Sequence, residues 1–227
     1  MTSLRLDQDG SVYVLTLCNG ARANGLSDPV LLEWAKVLDE LEAEKGNTAL
    51  VVTSDDPKVW CNGIDLDWLR DQPPEGFDAF KRRLDKMFAR VGLLSMPTVG
   101  CLTGHAFGGG AILACALDFR FMRLDRGFFC FPEVDLGIPF SDLMHRVIEG
   151  IPDRGSLHEL ALTGRRVGGE EATRLRVVQA AYSEAELFPK VLDFARVLAG
   201  KDRRTYTAIK RGLKADLVQA AKGVLGD

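Results

Sequence analysis

The chain has 227 residues, 46% of them hydrophobic, which is enough to bury one sizeable core without a second domain. A formal charge of −3 provides no cationic footprint for nucleic acid or an anionic membrane surface. Five cysteines without a CxxC pair and only three scattered histidines argue against a disulfide framework and a histidine metal site. No apolar run reaches the length of a membrane span and residues 1–10 lack the apolar segment of a secretory signal, so a cytoplasmic location is expected.

In chain order, Ser11–Leu17 is short and β-branched and predicts a strand, closed by the turn-rich Asn19–Gly25. Leu31, Trp34, Leu38 and Leu41 then recur at helical spacing, with Ser27 at the N-cap and Pro29 in the first turn. Thr48–Ser54 predicts a buried strand, and 55–69 a loop followed by a short helix. Residues 76–94 predict a long amphipathic helix with Phe77, Phe80, Leu84, Met87, Phe88 and Val91 on one face. Further strands are predicted at 97–104, 119–125 and 127–133, and from Leu143 onward the chain reads as mostly helical. This alternation implies an α/β fold with a largely parallel sheet and a helical C-terminal third. Ligands of such sheets bind where strands run into helices. Gly63 and Gly108–Gly110 both fall at such junctions.

Glycine inside a helix costs about 0.5–1 kcal/mol relative to alanine, so three in succession at the start of an apolar helix need a reason. One is a tight turn with close helix–strand packing. The other is a helix N-terminus whose free N–H groups meet a negative charge. The stretch Thr103–Gly110 also fits the TGxxxGxG loop of short-chain dehydrogenases, and Tyr206–Lys210 fits their YxxxK. That reading fails on position: the loop lies some hundred residues into the chain, and only 17 residues follow Lys210.

Four ordered segments carry a different likeness: VWCNGIDLDWL (59–69), PTVGCLTGHAFGGGAILACALDFRFM (97–122), FPEVDLGI (131–138) and LTGRRVGGEEATRLRVV (162–178). Together they resemble the enoyl-CoA hydratase/isomerase (crotonase) superfamily across nearly the whole chain. Within it the likeness runs to the plant peroxisomal type of Δ3,Δ2-enoyl-CoA isomerase. The resemblance implies a single crotonase-like domain over 1–227, with a spiral core of ββα units to about 165 and a helical region over about 166–227. It implies an acyl-CoA thioester as substrate, no cofactor beyond that CoA, a place in fatty-acid β-oxidation, and a homotrimer or dimer of trimers.

Carried over by motif, the thioester oxygen would lie between the N–H groups of Ile64 and Gly109, which stabilise an enolate. Asn62, Gly63, Asp65, Leu66, Gly108 and Ile112 would line the substrate, with Asp65 equally suited to capping the helix that follows. Hydratases of the superfamily use two glutamates. Here the second of the matching positions is Glu133 and the first is Ile112, which cannot accept a proton. One base without an activated water implies a proton shuttle from C2 to C4, that is, isomerisation. Asp135 would raise the Glu133 pKa if both lay on one strand face. Arg22 and Lys58 are both candidates for a CoA phosphate, and His105 is expected to pack. The alternatives are another crotonase-type enzyme (thioesterase, decarboxylase or weak hydratase) or a non-catalytic acyl-CoA-binding member with Trp60 or Phe107 plugging the pocket.

Overall fold

A computed structural model describes residues 2–226. Strands β1 (Leu4–Asp9) and β2 (Val12–Leu17) pair antiparallel, and β3 (Ala49–Ser54) joins β2 in parallel. Between the two sheets of the fold, β4 (Val59–Cys61) belongs to the smaller. The larger sheet continues in parallel with β5 (Thr98–Leu102), and β6 (His105–Phe107) pairs in parallel with β4. Then β7 (Phe119–Arg123) extends the larger sheet, β8 (Phe129–Cys130) the smaller, and β9 (Ala180–Tyr182) closes the larger one. The resulting orders are β1-β2-β3-β5-β7-β9 and β4-β6-β8.

Helices α1 (Asp28–Ala43), α2 (Leu66–Arg70), α3 (Phe77–Leu93) and α4 (Gly109–Ala116) occupy the first half of the chain. They are followed by α5 (Glu133–Leu136), α6 (Asp142–Ile148), α7 (Arg154–Thr163), α8 (Gly169–Arg174), α9 (Glu184–Ala199), α10 (Arg203–Leu213) and α11 (Ala215–Leu225). One unit recurs three times: a strand of the larger sheet, a strand of the smaller sheet, then a helix, as in β3-β4-α2, β5-β6-α4 and β7-β8-α5. This is the ββα spiral of the crotonase fold.

The period-two alternation of strands sorts side chains onto two cores. Leu50 and Val52 of β3 enter the larger core, while Ala49 and Val51 enter a smaller one beneath α9. Both faces of the larger sheet are therefore covered, which is why β3 reads as an unbroken apolar run. All eight residues of α4 are buried, so this helix runs through the interior. The predicted face of α3 enters the core except at Phe77, which is exposed at the first helical position.

Several expectations need correction. The alternation suggested one sheet; the chain builds two, because β4, β6 and β8 are two or three residues long and too short to show a period. Residues 55–61 are therefore not all loop. β1 was not foreseen, and β9 interrupts the C-terminal region read as helical. Glu133 does not end a strand; after Pro132 it opens the single turn α5.

Candidate active site

The smaller sheet is what assembles the site. Its three parallel strands release the chain in the same direction, β4 into Gly63, β6 into Gly108 and β8 into Glu133. Three segments distant in sequence thus meet at one sheet end, as expected for the carboxyl ends of parallel strands.

Gly63 has φ +79°, and a Cβ there would lie 2.7 Å from the Phe107 carbonyl oxygen and 2.8 Å from the Gly109 nitrogen. Gly108 has φ +53°, and a Cβ there would point at Glu133 Oε1 from 3.3 Å. Both positions need the left-handed region and the bare backbone at once. At Gly110 a Cβ would land on the Cys61 carbonyl. The glycine run lets α4 begin directly against β4.

The Ile64 N–H is free for a definite reason. Leu26 donates to the Gly63 carbonyl at 2.7 Å and accepts from the Asp65 N–H at 3.0 Å, so the intervening N–H faces the other way. The Gly109 N–H is the first of α4 and has no intrahelical acceptor. Neither N–H has an acceptor among the described residues. A Cβ built on Gly109 would be 3.6 Å from the Ile64 nitrogen, so the two donors stand side by side.

Glu133 faces this pair across Gly108. Burial pushes its carboxyl up to about 7, and its Oε2 is buried without a hydrogen-bond partner. Asp135 contributes nothing to this shift. It turns away to pack on Gly164, because two positions along a helix are rotated by just over half a turn, where two along a strand would have shared a face. Ile112 is 1% exposed within the core.

Asp65 caps α2, accepting from the Trp68 N–H at 3.0 Å, and holds Arg22 through two bonds of 2.5 and 2.6 Å. Both carboxylate oxygens are thereby committed, so of its two expected roles the structural one is realised. Asn62 and Leu66 are exposed near Gly63; the Asn62 backbone N–H donates to the Ala23 carbonyl at 3.1 Å, and its side-chain amide makes no hydrogen bond among the described residues. Lys58 precedes β4 and stands at the opposite end of the smaller sheet from Gly63, whereas Arg22 stands on the site's side. His105 packs as expected: its Nδ1 accepts from the Phe128 N–H at 3.2 Å, with its ring 5.0 Å from Phe107. Trp60 is fully buried with its Nε1 donating to the Val52 carbonyl, so it lines the core and plugs nothing.

Tyr206 and Lys210 both reach Asp118, just beyond the carboxyl end of α4, at 3.0 and 2.9 Å. The glycine turn is at the other end of that helix, roughly 12 Å away. The YxxxK pattern is a structural clamp. Asn24 escaped the sequence reading altogether. Its φ is +51°, and its Nδ2 donates to Ser54 Oγ and to the Val59 and Trp60 carbonyls, which fixes the approach of β4 to the site. An Asn just before a Gly in a turn-rich run is the only signal it leaves.

Among the described residues no helix is long and apolar enough to cross a membrane, and no cluster of His, Cys, Asp or Glu could hold a metal ion. The family model described as enoyl-CoA hydratase/isomerase matches residues 7–225. Enoyl-CoA delta isomerase 3 of Arabidopsis thaliana is 30% identical over 223 residues, covering 93% of this chain and 92% of that protein. The carnitinyl-CoA dehydratase of Escherichia coli K12 is 30% identical over 216 residues, covering 92% and 78%. Among solved structures, a probable enoyl-CoA hydratase from Mycobacterium tuberculosis superposes with a TM-score of 0.89 at 20% identity, covering 98% of this chain and 92% of that one. Family model, relatives and fold agree with the four motifs and the ββα spiral, and the chain belongs to the enoyl-CoA hydratase/isomerase family.

Proposed function

We propose that the protein is a Δ3,Δ2-enoyl-CoA isomerase working through one carboxylate. The thioester oxygen of a 3-enoyl-CoA accepts from the Ile64 and Gly109 N–H groups. The Glu133 carboxylate takes a proton from C2, and the electron pair moves into the C1–C2 bond as charge builds on the thioester oxygen. Each fixed donor in a dry site lowers such a barrier by about 3 kcal/mol. The Glu133 carboxylic acid then delivers the proton to C4 while the double bond re-forms between C2 and C3. The shuttle draws on no cofactor. Exposed Leu66 gives the CoA portion an apolar contact. Arg22, held by Asp65, offers a cation to its phosphates.

The observation that carries the reading is the pairing of Glu133 with Ile112. A carboxyl near 7 suits a base that must give its proton back at neutral pH. A buried isoleucine at the other position can neither orient nor activate water. The dehydratase relatives bring a rival reading, but the nearest second carboxylate in sequence, Asp135, turns to Gly164. The test is incubation with trans-3-hexenoyl-CoA, following the ultraviolet absorbance of the conjugated product, beside crotonyl-CoA hydration. Isomerisation with negligible hydration is expected. Rapid hydration without isomerisation would overturn the proposal.

A further inference from the structure

Glu133 does not close the site; it opens onto a cleft of about 1370 Å³. Val134, Ile138 and Phe140 carry the apolar lining away from the carboxyl, and Leu157 and Ala161 of α7 continue it as far as Ala220 of α11. The cleft is apolar on its inner wall only: Arg146 and Glu149, paired at 3.1 Å, and the exposed Asp142, Arg154 and Asp216 line it toward solvent. The side toward α3 is filled: Ile112, Leu84 and Phe80 are buried, and the Trp68 ring lies 5.0 Å from that of Phe80. With C2 of a substrate beside Glu133, the acyl tail beyond C4 has room on the cleft side. Ligand pockets of about 300–1,000 Å³ take drug-sized molecules. A four-carbon acyl group would leave most of this cleft vacant and its apolar wall, including Val134, Ile138 and Leu162, in water.

We infer that the preferred substrates are acyl-CoA thioesters with long acyl tails, and that the tail lies in the cleft between α6, α7 and α11. This deepens the isomerase reading by naming the acyl class, and it rests on that reading for the position of C2. Each methylene moved from water onto an apolar wall tightens binding up to about fourfold. The small side chain of Ala161 leaves space for the tail on the α7 wall.

The test uses saturated hexanoyl-CoA and dodecanoyl-CoA, which bind without reacting, titrated calorimetrically below micelle-forming concentrations. Dodecanoyl-CoA should bind at least about tenfold tighter. Equal affinities would overturn the inference. In Ala161→Trp the indole fills the cleft, and the ratio of the two affinities should fall toward one; a ratio as large as the parent's would overturn it. Should that variant fail to fold, Leu162→Lys, at a side chain 59% exposed, places a charge on the same wall and is read by the same ratio. Neither ligand has a double bond, so the outcome is independent of the isomerisation assay. Length-dependent binding without isomerisation would remove the reaction and leave the cleft, and isomerisation with equal affinities would do the reverse.

Discussion

The two ends of α4 treat polar groups in opposite ways. At the amino end, the Gly109 and Ile64 N–H groups and Glu133 Oε2 lie in or beside the core without partners among the described residues. At the carboxyl end, each buried charged group has polar partners. Asp118 accepts from Lys214 at 2.9 Å through one oxygen, and through the other from Tyr206 and the Thr98 N–H, beside Lys210 at 2.9 Å. The carbonyls of Ala114, Ala116 and Leu117, left open by the end of the helix, accept from Arg120 and Lys214. Burial alone would raise the Asp118 carboxyl, but the ammonium groups of Lys210 and Lys214 more than reverse this and hold it below its ordinary value. Glu133 has no such cation; burial outweighs the one opposing hydrogen bond, from its own backbone N–H, and its proton is held near neutrality. One helix thus joins an end where unpaired groups cost stability and can do chemistry to an end where paired groups hold the C-terminal helices in place.

Replacing Glu133 by Gln tests the unpaired end and should have the largest effect. Turnover of 3-hexenoyl-CoA should fall about 10²–10⁴-fold, the usual loss with a general base. In the parent, kcat/KM should rise with pH through about 7, because only the ionised carboxylate takes the C2 proton. Stability should respond in the opposite sense. The folded state holds this proton more tightly than the unfolded chain, so the Glu133 contribution is full below about 4.5 and is lost as pH rises through about 7. Melting curves should therefore show the Gln variant gaining on the parent between pH 5 and pH 8. A parent-like turnover, or a Gln variant that loses stability relative to the parent as pH rises from 5 to 8, would remove Glu133 from its role.

Asp118→Asn attacks the paired end. It leaves two buried ammonium groups without their counter-charge and should destabilise the fold by about 3–5 kcal/mol in urea unfolding. The pH midpoint of any activity that survives should stay near 7, since Asp118 is absent from the causes of the Glu133 shift. A moved midpoint would show the two ends to be coupled electrostatically. The smallest effect is expected for Tyr206→Phe, which removes one of several bonds to Asp118 and should cost about 1 kcal/mol in the same measurement. A dehydrogenase-like role for Tyr206 would instead abolish turnover.

The strands of the larger sheet were legible where they are buried on both faces: β2, β3 and β5 are mainly apolar or β-branched runs of five or six residues, and β7 alternates Phe119 and Phe121 with Arg120 and Met122. β1 was not, because its alternate residues are exposed at the sheet edge and it reads as a polar leader. β4, β6 and β8 left no periodic trace, yet they bring Gly63, Gly108 and Glu133 together. The candidate residues that these strands bring together were picked out by motif spacing, which marks where a bare backbone and a carboxylate recur.

By itself the sequence determined the chemical inventory: the glycines that need φ near +79° and +53°, the single glutamate at Glu133 and the isoleucine at Ile112. These are local properties of residue type, and no packing changes them. Only the tertiary structure decided how each polar group is partnered. It turned Asp135 away from Glu133, committed Asp65 to Arg22 and the α2 cap, and spent the YxxxK pair on Asp118. It also left Glu133 alone at the head of an apolar cleft. The physical reason is that burial and hydrogen-bond partners come from segments remote in sequence, and a carboxylate's acidity follows those partners more than its neighbours along the chain.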